Sequence, residues 1–106
     1  MSDVFRALAD PTRRAILDEL AERDGQTLFE LCSRLVVKHQ VGMSRQAISQ
    51  HLAVLEQAGL VEAVRAGRCK HHYLDVRPLA GVLARWLPPD REETPDAPAA
   101  VERVRR

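Results

Sequence analysis

The segment SRQAISQHLAVLEQAGL, residues 44–60, constrains the fold of this chain more than any other. Its aliphatic residues Ile48, Leu52 and Leu55 recur at intervals of four and three, which places them on one face of an α-helix. The serine that starts the segment is a favoured N-cap, and Gly59 stands where a left-handed C-terminal cap is wanted. The segment therefore predicts a capped amphipathic helix with one buried face.

The opposite face of this helix has the chemistry of a base-contacting surface. Its outward positions are Arg45, Gln46, Ser49, Gln50 and Ala53, and the first acid, Glu56, comes only near the far end. A merely solvated helix usually carries Glu and Lys in pairs four residues apart. Arginine pairs bidentately with guanine and glutamine with adenine, and a helix N-terminus attracts phosphate. We therefore predict major-groove DNA contact by Ser44, Arg45, Gln46, Ser49 and Gln50.

A β-hairpin is predicted next, from residues 61–65 and 70–76, which alternate or are β-branched and are joined through an Ala-Gly turn. Arg65, Arg68 and Lys70 cluster at its tip. Hairpin tips are often simply polar, but a cationic tip beside a base-contacting helix can reach the DNA backbone and the neighbouring minor groove. We assign these three residues to phosphate contact.

Cap signals divide the rest of the chain into four further helices. A short apolar stripe marks the first, and Asp10-Pro11 supplies the N-cap and first residue of the second. Thr27 and Glu30 form a capping box that opens the third, and Pro78 begins the last. The predicted fold class is mainly α with a small β-hairpin, in the order α-α-α-α-β-β-α.

The stretch between the third and fourth helices, residues 36–43, is longer than the usual three- or four-residue turn of a helix-turn-helix. Two arrangements fit it: the third helix runs on past Lys38, or a small insertion lies there. The tilt of the fourth helix depends on which one holds.

Basic residues concentrate in the middle of the chain. Residues 31–77 carry seven Lys and Arg against three acids and hold all four histidines, although the net charge of the whole chain is only +1. The seven cations are Arg34, Lys38, Arg45, Arg65, Arg68, Lys70 and Arg77. Since the flanking stretches are acidic or neutral, this distribution predicts one cationic surface.

The length of 106 residues suits one small domain, which we place at residues 1–87. Residues 88–106 are rich in proline and acids, cannot bury enough apolar area, and are predicted to be a flexible tail. No apolar run is long enough for a bilayer, and the start lacks the features of a signal peptide, so we expect a cytoplasmic protein without a membrane partner. Cys32 and Cys69 lack paired spacing and are expected to be free thiols.

Two blocks, VFRALADPTRRAILDEL and SRQAISQHLAVLEQAGLVEAVRAGRCKHHYLDV, resemble the ArsR/SmtB family of winged-helix repressors over about residues 3–87. The resemblance implies a winged helix-turn-helix fold and a homodimer that represses a nearby operon and releases DNA on a signal. By position, residues 27–37 resemble the first helix of the motif, 44–58 the recognition helix and 61–76 the wing. The dimer surface is implied at Val4, Phe5, Leu8, Leu79, Leu83 and Trp86.

The chain departs from the metal-sensing members of this family. One type of metal sensor in this family carries the motif Glu-Leu-Cys-x-Cys on its third helix. Here Glu30-Leu31-Cys32 matches the start of the motif, but Arg34 stands where the second cysteine is needed. A second type of sensor binds its metal through Asp and His pairs on the last helix, but here residues 78–87 contain no His, Asp, Glu or Cys. We therefore expect no metal and no other cofactor.

Several alternatives stay open at this point. Cys69 and His71 share one strand face and, with His72, form a less favoured metal hypothesis, because hairpin histidines more often pack or face DNA. A regulatory partner protein is a further hypothesis, and a winged-helix module that binds protein instead of DNA is the main alternative function. An enzyme is disfavoured, since only His71-His72 beside Asp75 looks catalytic and a small hairpin encloses no substrate.

Overall fold

The computed structural model describes residues 2–87, which form five helices and one two-stranded antiparallel hairpin in the expected order. The helices are α1 (Ser2–Leu8), α2 (Pro11–Glu22), α3 (Leu28–His39), α4 (Arg45–Gln57) and α5 (Arg77–Leu83), and the strands are β1 (Val61–Ala66) and β2 (Cys69–Leu74). The predicted fold class is confirmed. The predicted tail, residues 88–106, lies outside the described residues.

The three predicted N-caps are present. The Asp10 carboxylate accepts a hydrogen bond from the Arg13 backbone N–H at 3.1 Å, and the Ser44 hydroxyl accepts one from the backbone N–H three residues on, also at 3.1 Å. In the capping box, the Thr27 N–H donates to Glu30 Oε1 at 2.9 Å, and the Glu30 N–H donates to Thr27 Oγ1 at 3.2 Å. These bonds fix where α2, α3 and α4 begin.

The core lies between α2, α3 and α4 and continues beneath β1. Its helical members include Ile16 and Leu20 of α2 and Leu31 and Leu35 of α3, all at most 1% exposed. Leu60, just after α4, is fully buried in the same cluster. Because one apolar cluster joins all three helices and the base of the hairpin, the position of α4 is fixed by packing from several sides.

Short backbone connections decide how the helix-turn-helix is closed. α3 runs past Lys38 to His39, so the first of the two arrangements for this stretch is confirmed. Gln40 then takes a left-handed conformation, with φ at 57°, and the Val41 N–H donates to the Leu35 carbonyl at 3.0 Å. This C-terminal cap ends α3 and turns the chain towards the start of α4.

The hairpin is tied to the loop between α2 and α3, which the sequence did not predict. Gly67, with φ at +64°, makes its turn, and β2 begins one residue earlier and ends two residues earlier than predicted. The His72 N–H donates to the Gln26 carbonyl at 2.9 Å, and the Gly25 N–H donates to the His72 carbonyl at 2.9 Å. A short third segment therefore pairs with β2 and anchors the hairpin to the helical core.

The last helix is shorter than predicted. α5 begins at Arg77 and ends at Leu83, so Trp86 and Leu87 lie in the turns that follow it. No residue of α5 is fully buried, and the Arg85 guanidinium lies over the Trp86 ring, 4.8 Å from its centroid. Within residues 2–87, α5 has only partly buried side chains such as Leu79, so little packing supports a longer helix here. No helix within residues 2–87 combines the length and the hydrophobicity needed to span a bilayer.

Candidate nucleic-acid interface

α4 presents the face that the sequence predicted. Ile48, Leu52 and Leu55 are 1%, 2% and 0% exposed, so the inward stripe is fully buried. The residues of α4 and its N-cap that were predicted to contact DNA, Ser44, Arg45, Gln46, Ser49 and Gln50, are all exposed. The first turn of α4 carries no acid, so its N-terminal end is positive by its dipole and by its side chains.

The cationic side chains at the tip of the hairpin repel one another. Arg65 and Lys70 are directly opposite each other in the register, and Arg68 follows in the turn. All three are exposed. Like charges in directly opposite positions destabilise a strand pair. An anion such as a phosphate that binds between Arg65 and Lys70 would remove this repulsion.

A groove of about 200 Å³ joins the hairpin to α4. Ser49 and Glu56 of α4 line one wall and Lys70 and His72 of β2 line the other. The exposed face of α4 and the cationic hairpin are therefore parts of one continuous surface.

The structure corrects the expectation that all seven central cations form one surface. Arg34 and Lys38 pair with Glu19 and Glu22 of α2. Arg77 pairs with Asp75 at 2.5 Å, and this partner lowers the pKa of the Asp75 carboxyl to about 2. The four cations that remain make no ion pair within residues 2–87, and they are Arg45, Arg65, Arg68 and Lys70. These four are the ones on α4 and the hairpin.

The four histidines do not add to this surface, because each bonds inside the fold. His39 Nε2 is 2.8 Å from Glu19 Oε2, and His51 Nδ1 is 3.1 Å from the Arg13 guanidinium. His71 and His72 each direct Nδ1 to a carbonyl of the loop between α2 and α3, at 2.9 Å. A carbonyl only accepts, so both hairpin histidines carry a proton on Nδ1 and act as donors.

Glu19 is a buried carboxylate that holds α2 to α3 behind the interface. Its side chain is 1% exposed, and Arg34 Nε donates to it at 2.7 Å and Lys38 Nζ lies at 3.3 Å. Burial alone would raise the pKa of Glu19, but hydrogen bonds from Arg34, His39 and Lys38 outweigh it and lower the pKa to about 2. No local sequence pattern marks this cluster, because Glu19 and its partners are 15–20 residues apart.

The residues predicted for a dimer surface fall into three groups. Val4 is 3% exposed and packs inside its own chain, which leaves it no area for a partner, while Leu8 and Leu79 are half-buried. Phe5, Leu83 and Trp86 are 46%, 54% and 63% exposed. The last three therefore supply exposed apolar area on α1, at the end of α5 and in the turn after it.

The two cysteines are free thiols in different settings. Cys32 is half-buried on α3, where burial raises the pKa of its thiol, and Cys69 is exposed at the hairpin tip. Within residues 2–87, no group of three or more His, Cys, Asp or Glu is placed to hold a metal ion. His71 and His72 use one ring nitrogen each in the fold, as described above.

Sequence reasoning missed two residues that position the interface. The buried Gln26 donates from Nε2 to the backbone carbonyls of Glu19 and Arg23, at 3.1 and 2.8 Å. Its backbone carbonyl accepts a hydrogen bond from the His72 ring. Arg13 joins α1, α2 and α4 through its guanidinium. Gln26 lies between Gly25 and Thr27 and Arg13 lies beside a second arginine, and their contacts to His72 and His51 span 46 and 38 residues, so no local pattern marks them.

A capped helix-turn-helix, a recognition helix (α4) whose exposed first turn carries Arg45 and no acid, and a cationic hairpin beside it, the wing (residues 61–74), define a winged helix-turn-helix DNA-binding protein. Comparison with known proteins agrees. Residues 8–64 match a family described as "Helix-turn-helix domain". An uncharacterised HTH-type transcriptional regulator of Bacillus subtilis, YuzN, is 48% identical over 84 residues, covering 79% of this chain and 91% of that protein.

Two further similarities extend this result. The transcriptional repressor SdpR of Bacillus subtilis is 34% identical over 87 residues, covering 82% of this chain and 88% of that protein. The homodimeric winged helix-turn-helix domain of a possible ArsR-family regulator from Mycobacterium bovis superposes with a TM-score of 0.62 at 29% identity, covering 78% of this chain and 70% of that one. The chain belongs to the ArsR/SmtB family of winged helix-turn-helix transcriptional regulators. It is a DNA-binding regulator and not an enzyme, as the sequence predicted.

Proposed function

We propose that this regulator is a homodimeric repressor that binds a roughly palindromic operator, with α4 in the major groove and the wing on the flanking backbone. The observation that carries this proposal is that the cations of residues 31–77 that make no ion pair within residues 2–87, Arg45, Arg65, Arg68 and Lys70, all lie on α4 and the wing. The other three cations of residues 31–77, Arg34, Lys38 and Arg77, form ion pairs with acidic side chains of the same chain.

Contacts to bases are assigned to the exposed face of α4. Arg45 and Gln46 stand in its first turn, where a recognition helix meets base edges, and Ser49 and Gln50 follow one turn later. The Arg and Gln side chains suit guanine and adenine. Contacts to phosphate are assigned to Ser44, at the N-terminus of α4, and to the three cations of the wing tip.

A second copy of the chain is proposed to cover the exposed apolar side chains of α1, of the end of α5 and of the turns after it. Phe5, Leu83 and Trp86 are 46–63% exposed, and exposed apolar groups of this size favour association. The homodimeric state of the Mycobacterium bovis domain supports this assignment. A two-fold dimer would present two copies of α4 to half-sites about one helical turn apart.

Repression, rather than activation, is proposed from the similarity to the repressor SdpR. Independence from metal, and control by a partner protein, stay predictions of the sequence.

The assignment of α4 is tested by selecting a preferred site from random-sequence duplexes and measuring its affinity against scrambled DNA. Arg45→Ala and Gln46→Ala should each lower this preference by about 1–3 kcal/mol, because each removes a bidentate base contact. Matched controls are Arg77→Ala and Gln57→Ala, which change the same residue types at exposed positions outside the assigned contacts. These controls should keep the wild-type preference.

Two outcomes would overturn the proposal. If Arg45→Ala and Gln46→Ala kept the full sequence preference, α4 would not be the base-contacting element. If the wild-type protein bound no duplex at low salt, the alternative of a protein-binding winged-helix module would be favoured instead.

A further inference from the structure

Arg13 lies where three helices meet. Its Nε donates to the Ala7 carbonyl at 2.9 Å and its Nη2 to the Arg6 carbonyl at 3.1 Å, so it binds two carbonyls at the end of α1. Its Nη1 is 3.1 Å from Nδ1 of His51, which lies in the middle of α4. One guanidinium thus connects α1 to the recognition helix.

The chemistry of this contact fixes the protonation state of His51. Arginine has only donors, so the contact is a hydrogen bond only if His51 Nδ1 accepts. His51 is therefore neutral in this arrangement and carries its proton on Nε2. A second proton on Nδ1 would replace the acceptor by a donor and place two cations 3.1 Å apart.

An alternative partner for a protonated His51 is already in place. Asp10 Oδ2 lies 3.9 Å from the same Nδ1, and the His51 side chain is only 19% exposed. The ring could turn to Asp10 and release Arg13. Of the elements packed against α4, α2 supplies the two charged groups that face His51, Arg13 and the Asp10 cap, and α1 supplies carbonyls bound to Arg13. Within residues 2–87, α3 and β1 place no ion-pair or hydrogen-bond partner on this ring.

We propose that Arg13 and His51 form a pH-sensitive positioning junction that couples the recognition helix to α1. The inference rests on the proposed function, in which α1 belongs to the dimer surface and α4 enters the major groove. With His51 neutral, Arg13 holds α4 at a fixed position relative to α1, and therefore sets the distance between the two recognition helices of a dimer. Protonation of His51 releases this connection. Binding to an operator with two half-sites then weakens, while binding of one α4 to one half-site does not.

The test measures affinity for a full operator and for a single half-site by fluorescence anisotropy, from pH 8 to pH 5 at constant salt, where histidines ordinarily change charge. The wild-type affinity for the full operator should fall by about tenfold, as expected from the loss of one hydrogen bond to a charged group. The half-site affinity should stay nearly constant.

His51→Gln keeps an acceptor for Arg13 but cannot be protonated, so it should bind like the wild type at pH 8 and lose the pH dependence. The matched control His39→Gln, at the Glu19 cluster, should keep it.

The proposal is overturned if His51→Gln retains the wild-type pH dependence or if the half-site loses affinity to the same extent. A second measurement needs no DNA: the ¹⁵N NMR chemical shifts of the His51 ring at pH 8 report which ring nitrogen carries the proton. A neutral ring protonated on Nε2 supports the junction, and a ring protonated on Nδ1 overturns it. Failure of the proposed function would look different, because then no duplex would be preferred at any pH while the ring tautomer would still be observed.

Discussion

Two groups of cations from the same basic stretch of sequence have different fates in this protein. Arg34 and Lys38 of α3 face α2, where Glu19 and Glu22 neutralise them. Arg65, Arg68 and Lys70 of the wing tip are exposed and have no acidic partner within residues 2–87. The first group stabilises the fold and the second is free to bind an anion. A count of basic residues along a sequence therefore overstates a cationic surface wherever a distant acid folds back onto it.

The largest effect is expected at the centre of the first group. Glu19→Gln keeps the volume of the side chain but leaves Arg34, Lys38 and His39 without their carboxylate. We expect a loss of about 3–5 kcal/mol in the free energy of unfolding, as for other buried pairs that lose one partner. Urea unfolding measures it. The control is Glu22→Gln, whose side chain is 58% exposed and which should change the stability by under about 0.5 kcal/mol. Equal effects of the two variants would contradict the burial argument.

Acid should act on the same cluster. The pKa of Glu19 is about 2 in the folded protein against 4.5 for its ordinary value, so the folded state holds the charged form more strongly than the unfolded state does. This contribution to stability is complete above pH 4.5 and is lost as the pH falls from about 4.5 to 2. A shift of this size corresponds to about 3 kcal/mol. Thermal unfolding at several pH values should reveal it, and the acid dependence should shrink in Glu19→Gln.

The wing should respond in DNA binding and not in stability. Arg68→Ala removes one exposed cation, so affinity should fall for all DNA sequences alike, and the slope of log affinity against log salt should decrease by about 1. Its unfolding free energy should stay within about 0.5 kcal/mol of the wild type. Arg34→Ala is the comparison, because it should lower stability and leave the salt slope unchanged. A reduced slope for Arg34→Ala would show that both groups face DNA.

The smallest effect is expected at the turn between α3 and α4. Gln40 has φ at 57°, a conformation that costs a residue with a Cβ and suits glycine. Gln40→Gly should therefore raise the unfolding free energy by up to about 1 kcal/mol, reduced by the greater entropy of glycine in the unfolded chain. Chemical denaturation measures it, with Gly42→Ala as a control at a glycine whose φ is not positive. A clear loss of stability in Gln40→Gly would mean that the side chain itself holds the turn.

Much of the fold was predictable because its signals are local. Asp10, Thr27 and Ser44 cap helices through bonds to residues three positions away, and the buried stripe of α4 follows helical spacing. The predicted end of α5 was wrong by four residues, and the predicted limits of β2 were wrong by one and two residues. Boundaries of this kind depend on whether a neighbouring element offers a packing surface, which the local sequence does not contain.

The candidate site divides in the same way. The exposed side chains of α4 were predictable, because once the aliphatic face of a helix is buried, its geometry fixes which residues point outwards. The contacts of His51 were not predictable, because Arg13 and the N-cap Asp10 at the start of α2 come about forty residues earlier.

The sequence by itself determined the order of the elements, the capped ends of three helices and the residues that α4 shows to solvent, since each of these follows from spacing within a few residues. Only the tertiary structure decided which cations stay free, which histidines become buried donors or acceptors and how the wing is anchored. Those outcomes depend on contacts between segments 15–50 residues apart. Electrostatic pairing acts across space, and the spacing of residues along a chain does not encode which distant charges it brings together.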